Sequence, residues 1–166
     1  LERITGFFGI QNDITERKRG EEALRQSEEK YRSLFENIPD GIFRTTPDGQ
    51  ILAVNPAFAK MLGFESEQEV RQSTRAQELY AEPSERAYLV QAMTESGETR
   101  NVEVLLKRRD GSTRVVLENA RAVRGESGEI IYYEGVLTDI TERKRREREL
   151  EAEAMLAQAL GETLEL

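Results

Sequence analysis

The chain of 166 residues has no cysteine, no histidine and no tryptophan. Without cysteine there is no disulfide framework, so nothing points to secretion. Without cysteine and histidine, thiolate nucleophiles, zinc sites of the usual kind and phosphotransfer from a histidine have no residues to use. No apolar run reaches the ~18 residues read as a membrane span, and no signal-peptide pattern is present. The reading is a cytoplasmic segment that makes no membrane contact itself. An excess of basic charge is also missing: 24 Lys and Arg face 32 Asp and Glu, for a net charge of -8. A nucleic-acid face needs the opposite balance, so nucleic acid is not an expected partner. The basic runs at 17–19 and 143–146 are interleaved with glutamate and read as solvated helix faces. Enzyme signatures are absent as well: there is no GxSxG, no GK[ST] loop, no GxGxxG and no cluster of metal ligands. A non-enzymatic role is expected.

What is present is a repeat. The heptapeptide DITERKR occurs at 13–19 and again at 139–145. The likeness extends further, since Gly9 and Gly135 precede each Asp at the same distance, and Leu24 and Leu150 follow it at the same distance. The spacing is about one small domain plus a connector. The chain therefore reads as the last strand of one unit (1–13), a connector helix (14–38), one complete unit (39–141) and the helix that leaves it (142–166). It is expected to be a piece of a tandem array. Hydrophobic residues make up 37% and charged residues 34% of it, with a mean hydropathy of -0.65. Those proportions suit one modest core with long solvated helices.

Local pattern places the elements. Residues 3–13, with Ile4, Phe7, Phe8 and Ile10, look like a strand. Residues 16–37 read as a helix whose Leu24, Tyr31 and Ile38 recur every seven residues, with Ile14 and Phe35 on the alternate seam. Glu21 and Glu28 interrupt that seam. Strands at 41–46 and 50–54 flank the turn Pro47-Asp48-Gly49. Asn55-Pro56 opens a helix that Gly63 closes. A polar stretch with short helices follows, and then a longer helix over 83–96. Strands at 99–108, 113–124 and 129–138 are joined by tight turns, and a last helix covers 142–160. Two hairpins separated by helices imply an antiparallel sheet with helices on one face, an α+β fold.

These segments resemble the PAS family of sensory modules. The resemblance is carried by SEEKYRSLFENIPDGIF (27–43), PDG (47–49), LAVNPAFAKMLGF (52–64), KRRDGSTR (107–114) and EGVLTDITERK (134–144). It implies a five-stranded antiparallel sheet, short helices on one face, and connector helices at both ends. It also implies a regulatory sensor or relay module of a signalling protein, flanked by further PAS and output domains and dimerising through its connector helices. A ligand-free dimerisation spacer is the alternative. No cofactor is expected. Light sensors of the flavin-adduct type need a Cys, and they carry a Gln where this chain has Leu137; haem sensors of the commonest type need a His. An unadducted flavin or a small metabolite is left as a possibility.

The same resemblance points Ile131, Tyr133, Gly135 and Leu137 of the last strand, and Val116, Glu118, Ala120 and Ala122 of the strand before it, into a central cavity. Candidate ligand contacts are Phe43, Phe58, Met61, Tyr88, Val116, Glu118, Tyr133 and Leu137. Glu118 has two readings. It is either a polar determinant of the cavity or, after a one-residue slip of register, a solvent-facing side chain beside the equally polar Asn119 and Arg121. Asp139 and Thr141 lie where a strand becomes a helix. They read as a helix cap or as the joint that relays sheet motion to the helix. Leu24, Tyr31, Phe35 and Ile38 are the candidate dimer contacts.

Overall fold

A computed structural model describes residues 3–164, and side chains over 11–162. The chain divides into two compact units at Ile38/Pro39. The first contains one helix, α1 (Arg3–Asn37). The strand expected over 1–13 is thus replaced, from Arg3 on, by the first turns of that helix. The physical reason is local: a lone strand leaves its backbone N–H and C=O groups unpaired, whereas a helix pairs them within itself. Thr15 Oγ1 donates to Gln11 O at 2.8 Å, an ordinary helical back-bond.

The second unit is an α+β domain with the element order β1 (Gly41–Thr45), β2 (Ile51–Val54), α2 (Pro56–Leu62), α3 (Glu67–Ser73), α4 (Ala76–Leu79), α5 (Pro83–Ser96), β3 (Glu98–Lys107), β4 (Thr113–Arg124), β5 (Ile130–Asp139) and α6 (Thr141–Leu164). The strands form one sheet in the order β2-β1-β5-β4-β3, and every pairing is antiparallel. β5 therefore lies at the centre although it comes last. The two hairpins sit on either side of it, and the connecting helices carry the chain from one to the other.

The turn chemistry explains the boundaries. Asn55 is fully buried and works in three directions. Its Oδ1 accepts from Phe58 N as the cap of α2 and from Ile42 N of β1, and its amide donates to Asp40 O. One side chain thus ties the start of the sheet to the first helix on it. Gly63 ends α2 at φ 79°, a left-handed conformation that a residue with a Cβ enters at a cost. Alternation along the strands buries one face: Val104 and Leu106 of β3, Val116, Glu118 and Ala120 of β4, and Tyr133 and Leu137 of β5. Leu62, Val70, Leu89 and Met93 close the core from the helices.

Candidate functional site

The inner face of the sheet and α5 enclose a mostly apolar cavity of about 30 Å3. Its walls include Phe43 and Thr45 of β1, Ile51 and Val54 of β2, Phe58 of α2, Leu79 and Tyr80 around the end of α4, Leu89 and Met93 of α5, and Leu106, Glu118, Tyr133 and Leu137 of the remaining strands. Arg86 of α5 also reaches it. That volume holds about two water-sized groups by the measure of ~10–15 Å3 for one.

Glu118 is the chemical centre of the cavity. It is 1% exposed, so the register with the carboxylate inward is the one adopted. The pairing Glu118↔Leu137 on one side and Val102↔Glu118 on the other holds that register. Tyr80 Oη donates to Glu118 Oε2 at 2.9 Å. Burial pushes the Glu118 carboxyl up to about 7, against the lowering effect of the Tyr80 hydrogen bond and the Arg86 charge. The same burial, with the carboxylate beside it, drives the Tyr80 hydroxyl well above its ordinary range. Tyr80 is placed by its backbone, through a bridge to Leu106 and the bond from Ala81 N to Leu105 O.

Of the residues expected at the ligand site, Phe43, Phe58, Glu118, Tyr133 and Leu137 line the cavity. Three do not. Tyr88 is 66% exposed, because it lies on the outer face of α5 while Leu89 and Met93 take the inner face. Met61 packs against the core from α2 without reaching the cavity wall. Val116 is completely buried, one inward position beyond Glu118 and outside the wall. Ile131, expected inward, is half exposed near the start of β5. Sequence reasoning missed Tyr80, Arg86 and Thr45. A signal was available for the first two, since a buried carboxylate needs a donor and a compensating charge.

The second feature is the exit from the sheet. Asp139 ends β5 and Thr141 begins α6. The two side chains divide the work differently from a simple Thr cap. Asp139 Oδ1 accepts from Thr141 N at 2.9 Å. The Thr141 hydroxyl instead reaches across to β4, where it accepts from Val115 N at 3.0 Å. Ile140 N donates to Val115 O at 2.9 Å, and Arg114 sits 3.8 Å from Asp139. The start of α6 is therefore fastened to β4, three residues from Glu118 along that strand.

The candidate dimer positions divide too. Leu24 and Tyr31 of α1 are exposed, whereas Phe35 of α1 and Ile38 just after it are partly buried; Tyr31 stacks on Phe35 with ring centroids 5.9 Å apart. Leu34 is a further exposed apolar residue of α1. On α6, Leu150, Met155, Leu156 and Leu160 are exposed. Among the described residues no helix is long and apolar enough to cross a membrane, and no group of acidic side chains is arranged to hold a metal ion.

A central antiparallel sheet, a small apolar cavity against it, and a strand that passes directly into a helix define the class of domain. The PAS fold family matches residues 29–140, about two-thirds of the chain, and the chain belongs to that family. Sporulation kinase E of Bacillus subtilis (strain 168) is 28% identical over 157 residues, which cover 89% of this chain and 19% of that protein. The chain thus spans about a fifth of that relative's length. The crystal structure of the PAS domain of an HTR-like protein from Haloarcula marismortui is 28% identical with a TM-score of 0.57, covering 74% of this chain and 99% of that one. A domain of a sensory box sensor histidine kinase/response regulator from Geobacter sulfurreducens is 24% identical with a TM-score of 0.56, covering 70% and 96%, a likeness of fold.

Proposed function

We propose that this PAS domain is a sensor or relay module of a signal-transduction protein, coupling the state of its cavity to α6. The observation that carries the reading is the continuity of one path. Glu118 faces the cavity from β4, its cross-strand partner Leu137 faces it from β5, and β5 runs into the Asp139–Thr141 joint at which α6 starts. Sensor kinases among the similar proteins support the signalling context. The domain itself carries out no chemistry in this reading. It has two arrangements of sheet and helix, which the cavity biases.

The chain has no cysteine, so single Cys residues can be introduced on α6 and on β4 for spin labels without background. With ligand or with Glu118→Gln, the distance distribution between the labels shifts. With Thr141→Val added, the joint loses its bond to Val115 and the shift disappears. A distribution that ignores both cavity changes would refute the relay. The small cavity and the exposed apolar residues of α1 and α6 favour a second reading, a dimerisation spacer that takes no ligand. Mass spectrometry of denatured purified protein separates the two: a stoichiometric small molecule is expected for the sensor and none for the spacer.

A further inference from the structure

We infer that an ion pair between Lys144 of α6 and Glu103 of β3 sets the direction in which α6 leaves the sheet, as a latch that the helix can release. The inference rests on the relay reading above and names its adjustable contact. Lys144 Nζ lies 2.8 Å from Glu103 Oε1. The other bonds of the joint converge on one residue, since Thr141 Oγ1 and Ile140 N both meet the backbone of Val115. With the covalent link to β5 they fasten α6 at its end, and a rod held only at its end still swings. Lys144 is three residues beyond Thr141, about 4.5 Å further along the axis at 1.5 Å per residue. Its contact is to a third strand. β5, β4 and β3 thus hold the helix at different points, and the third point fixes the direction.

Glu103 is placed for this by its own strand. It pairs with Leu117, beside the pairing of Val102 with Glu118. Val104 and Leu106 point into the core, so Glu103 stands by alternation on the face away from the cavity. Just before it β3 carries a bulge. The register shifts between Thr99 and Val102, and Asn101 has φ 51°, a left-handed conformation that Asn enters more readily than most residues. Asn101 N donates to Asn119 Oδ1 at 2.9 Å. The cross-strand partner of Glu118 is therefore the residue next to the latch. A change at Glu118 reaches Glu103 through Val102, by a route that does not pass through β5.

The pair is also one that can open. Lys144 Nζ lies 3.9 Å from Glu147 Oε2 of its own helix, an alternative partner close at hand. The side chains of Lys144 and Glu103 are 28% and 47% exposed, so opening the pair strands no buried charge. The repeated heptapeptide supplies a comparison. Lys18 of α1 is the counterpart of Lys144, and it makes no ion pair among the described residues. Glu21, the counterpart of Glu147, pairs with Arg17 at 3.4 Å. The lysine is engaged in the copy that has a strand carboxylate within reach.

The test uses the spin-label pair on α6 and β4 in the intact chain. Lys144→Gln and Glu103→Gln should each move the distance distribution in the same direction, changing the ratio of the two arrangements by about two- to fivefold, the range of a partly exposed ion pair. The double variant should move it no further than either single one. Lys144→Arg should keep the parent's distribution, and Glu103→Lys combined with Lys144→Glu should restore it. Raising sodium chloride from about 0.05 M to about 0.5 M should carry the parent toward the Lys144→Gln distribution and leave that variant where it is. A distribution unchanged in both Gln variants, additive shifts in the double variant, or a parent indifferent to salt would each overturn the latch. The salt titration needs no substitution, so a variant that misfolds does not spare the inference. Labels that respond to Lys144→Gln and to salt but not to Glu118→Gln keep the latch and remove the relay; the reverse pattern removes the latch alone.

Discussion

Glu118 is an ionisable group held where ionisation is costly, and that makes the stability of the domain depend on pH in one direction. Its carboxyl rises from an ordinary 4.5 to about 7 in the folded state. Between those values the folded chain holds a proton that the unfolded chain has released. The contribution is fully present below pH 4.5 and is lost as pH rises to about 7, above which it is flat. The size is about 3 kcal/mol on the scale of 1.36 kcal/mol per pKa unit. Glu118→Gln should remove this slope, so that urea unfolding finds the variant more stable than the parent at pH 8, with the difference shrinking toward pH 5. Parallel pH curves for the two proteins would show that Glu118 does not titrate in this range. The exposed carboxylates Asp48, Glu78 and Asp110 lie below their usual range through hydrogen bonds and act in the opposite sense, so the comparison of variant with parent is the clean measurement. The sequence offered Glu118 in two registers. Alternation could not choose between them, because Asn119 and Arg121 made the other parity polar as well. The choice came from pairing with Leu137 and Val102, and from Tyr80, which is far from Glu118 in sequence.

At the scale of elements, the sheet and helix order was legible because the punctuation is strong. Pro47-Asp48-Gly49, Asn55-Pro56, Gly63, Gly97 and Asp110-Gly111 sit at real ends, and the side-chain pattern between them alternates or winds accordingly. Residues 3–13 are helical despite a strand-like composition, for an equally physical reason. A run of aromatic and β-branched residues suits a strand only if a neighbour supplies hydrogen bonds. Gly135 shows how tightly the neighbours of β5 are fitted. A Cβ there would meet the backbone oxygen of Asn119 and press on Phe43 Cζ at 2.8 Å and Ala120 Cβ at 2.9 Å. Gly135→Ala should therefore cost ~1–3 kcal/mol, as overpacking does in a dense core. Thermal unfolding checks it, and a melting temperature within a degree of the parent's would mean that β5 and β4 can separate locally at no cost. The same substitution pushes on Phe43, so it should also perturb the cavity wall and be visible in the NMR spectra of the methyl groups of Leu137 and Met93.

At the scale of the whole molecule, the helices present apolar residues that no contact within their own unit covers. Leu24, Tyr31 and Leu34 on α1, and Leu150, Leu156 and Leu160 on α6, are each more than half exposed. In the dimerisation reading these residues are the candidate contacts, and Leu24, Tyr31 and Leu34 follow the spacing of a heptad seam. Leu24→Glu combined with Leu150→Glu should weaken self-association by at least about tenfold, given ~1.5–3 kcal/mol for each buried leucine. Sedimentation equilibrium reads it directly, and thermal unfolding of the sheet domain should stay unchanged. A chain that is monomeric from the start removes the dimer from the proposal.

The two copies of DITERKR have different shapes. The first lies wholly inside α1; in the second, Asp139 closes a strand and Thr141 opens a helix. Thr15 bonds back along its own helix, whereas Thr141 bonds across to Val115. Seven identical residues therefore hold two conformations, and the deciding influence is whether an edge of sheet is offered alongside. The joint is thus conditional. The first copy, with no strand of its own unit beside it, is uninterrupted helix. In the relay proposed above, the bonds of Thr141 and Ile140 to Val115 are what hold the strand-to-helix boundary at this point of the second copy.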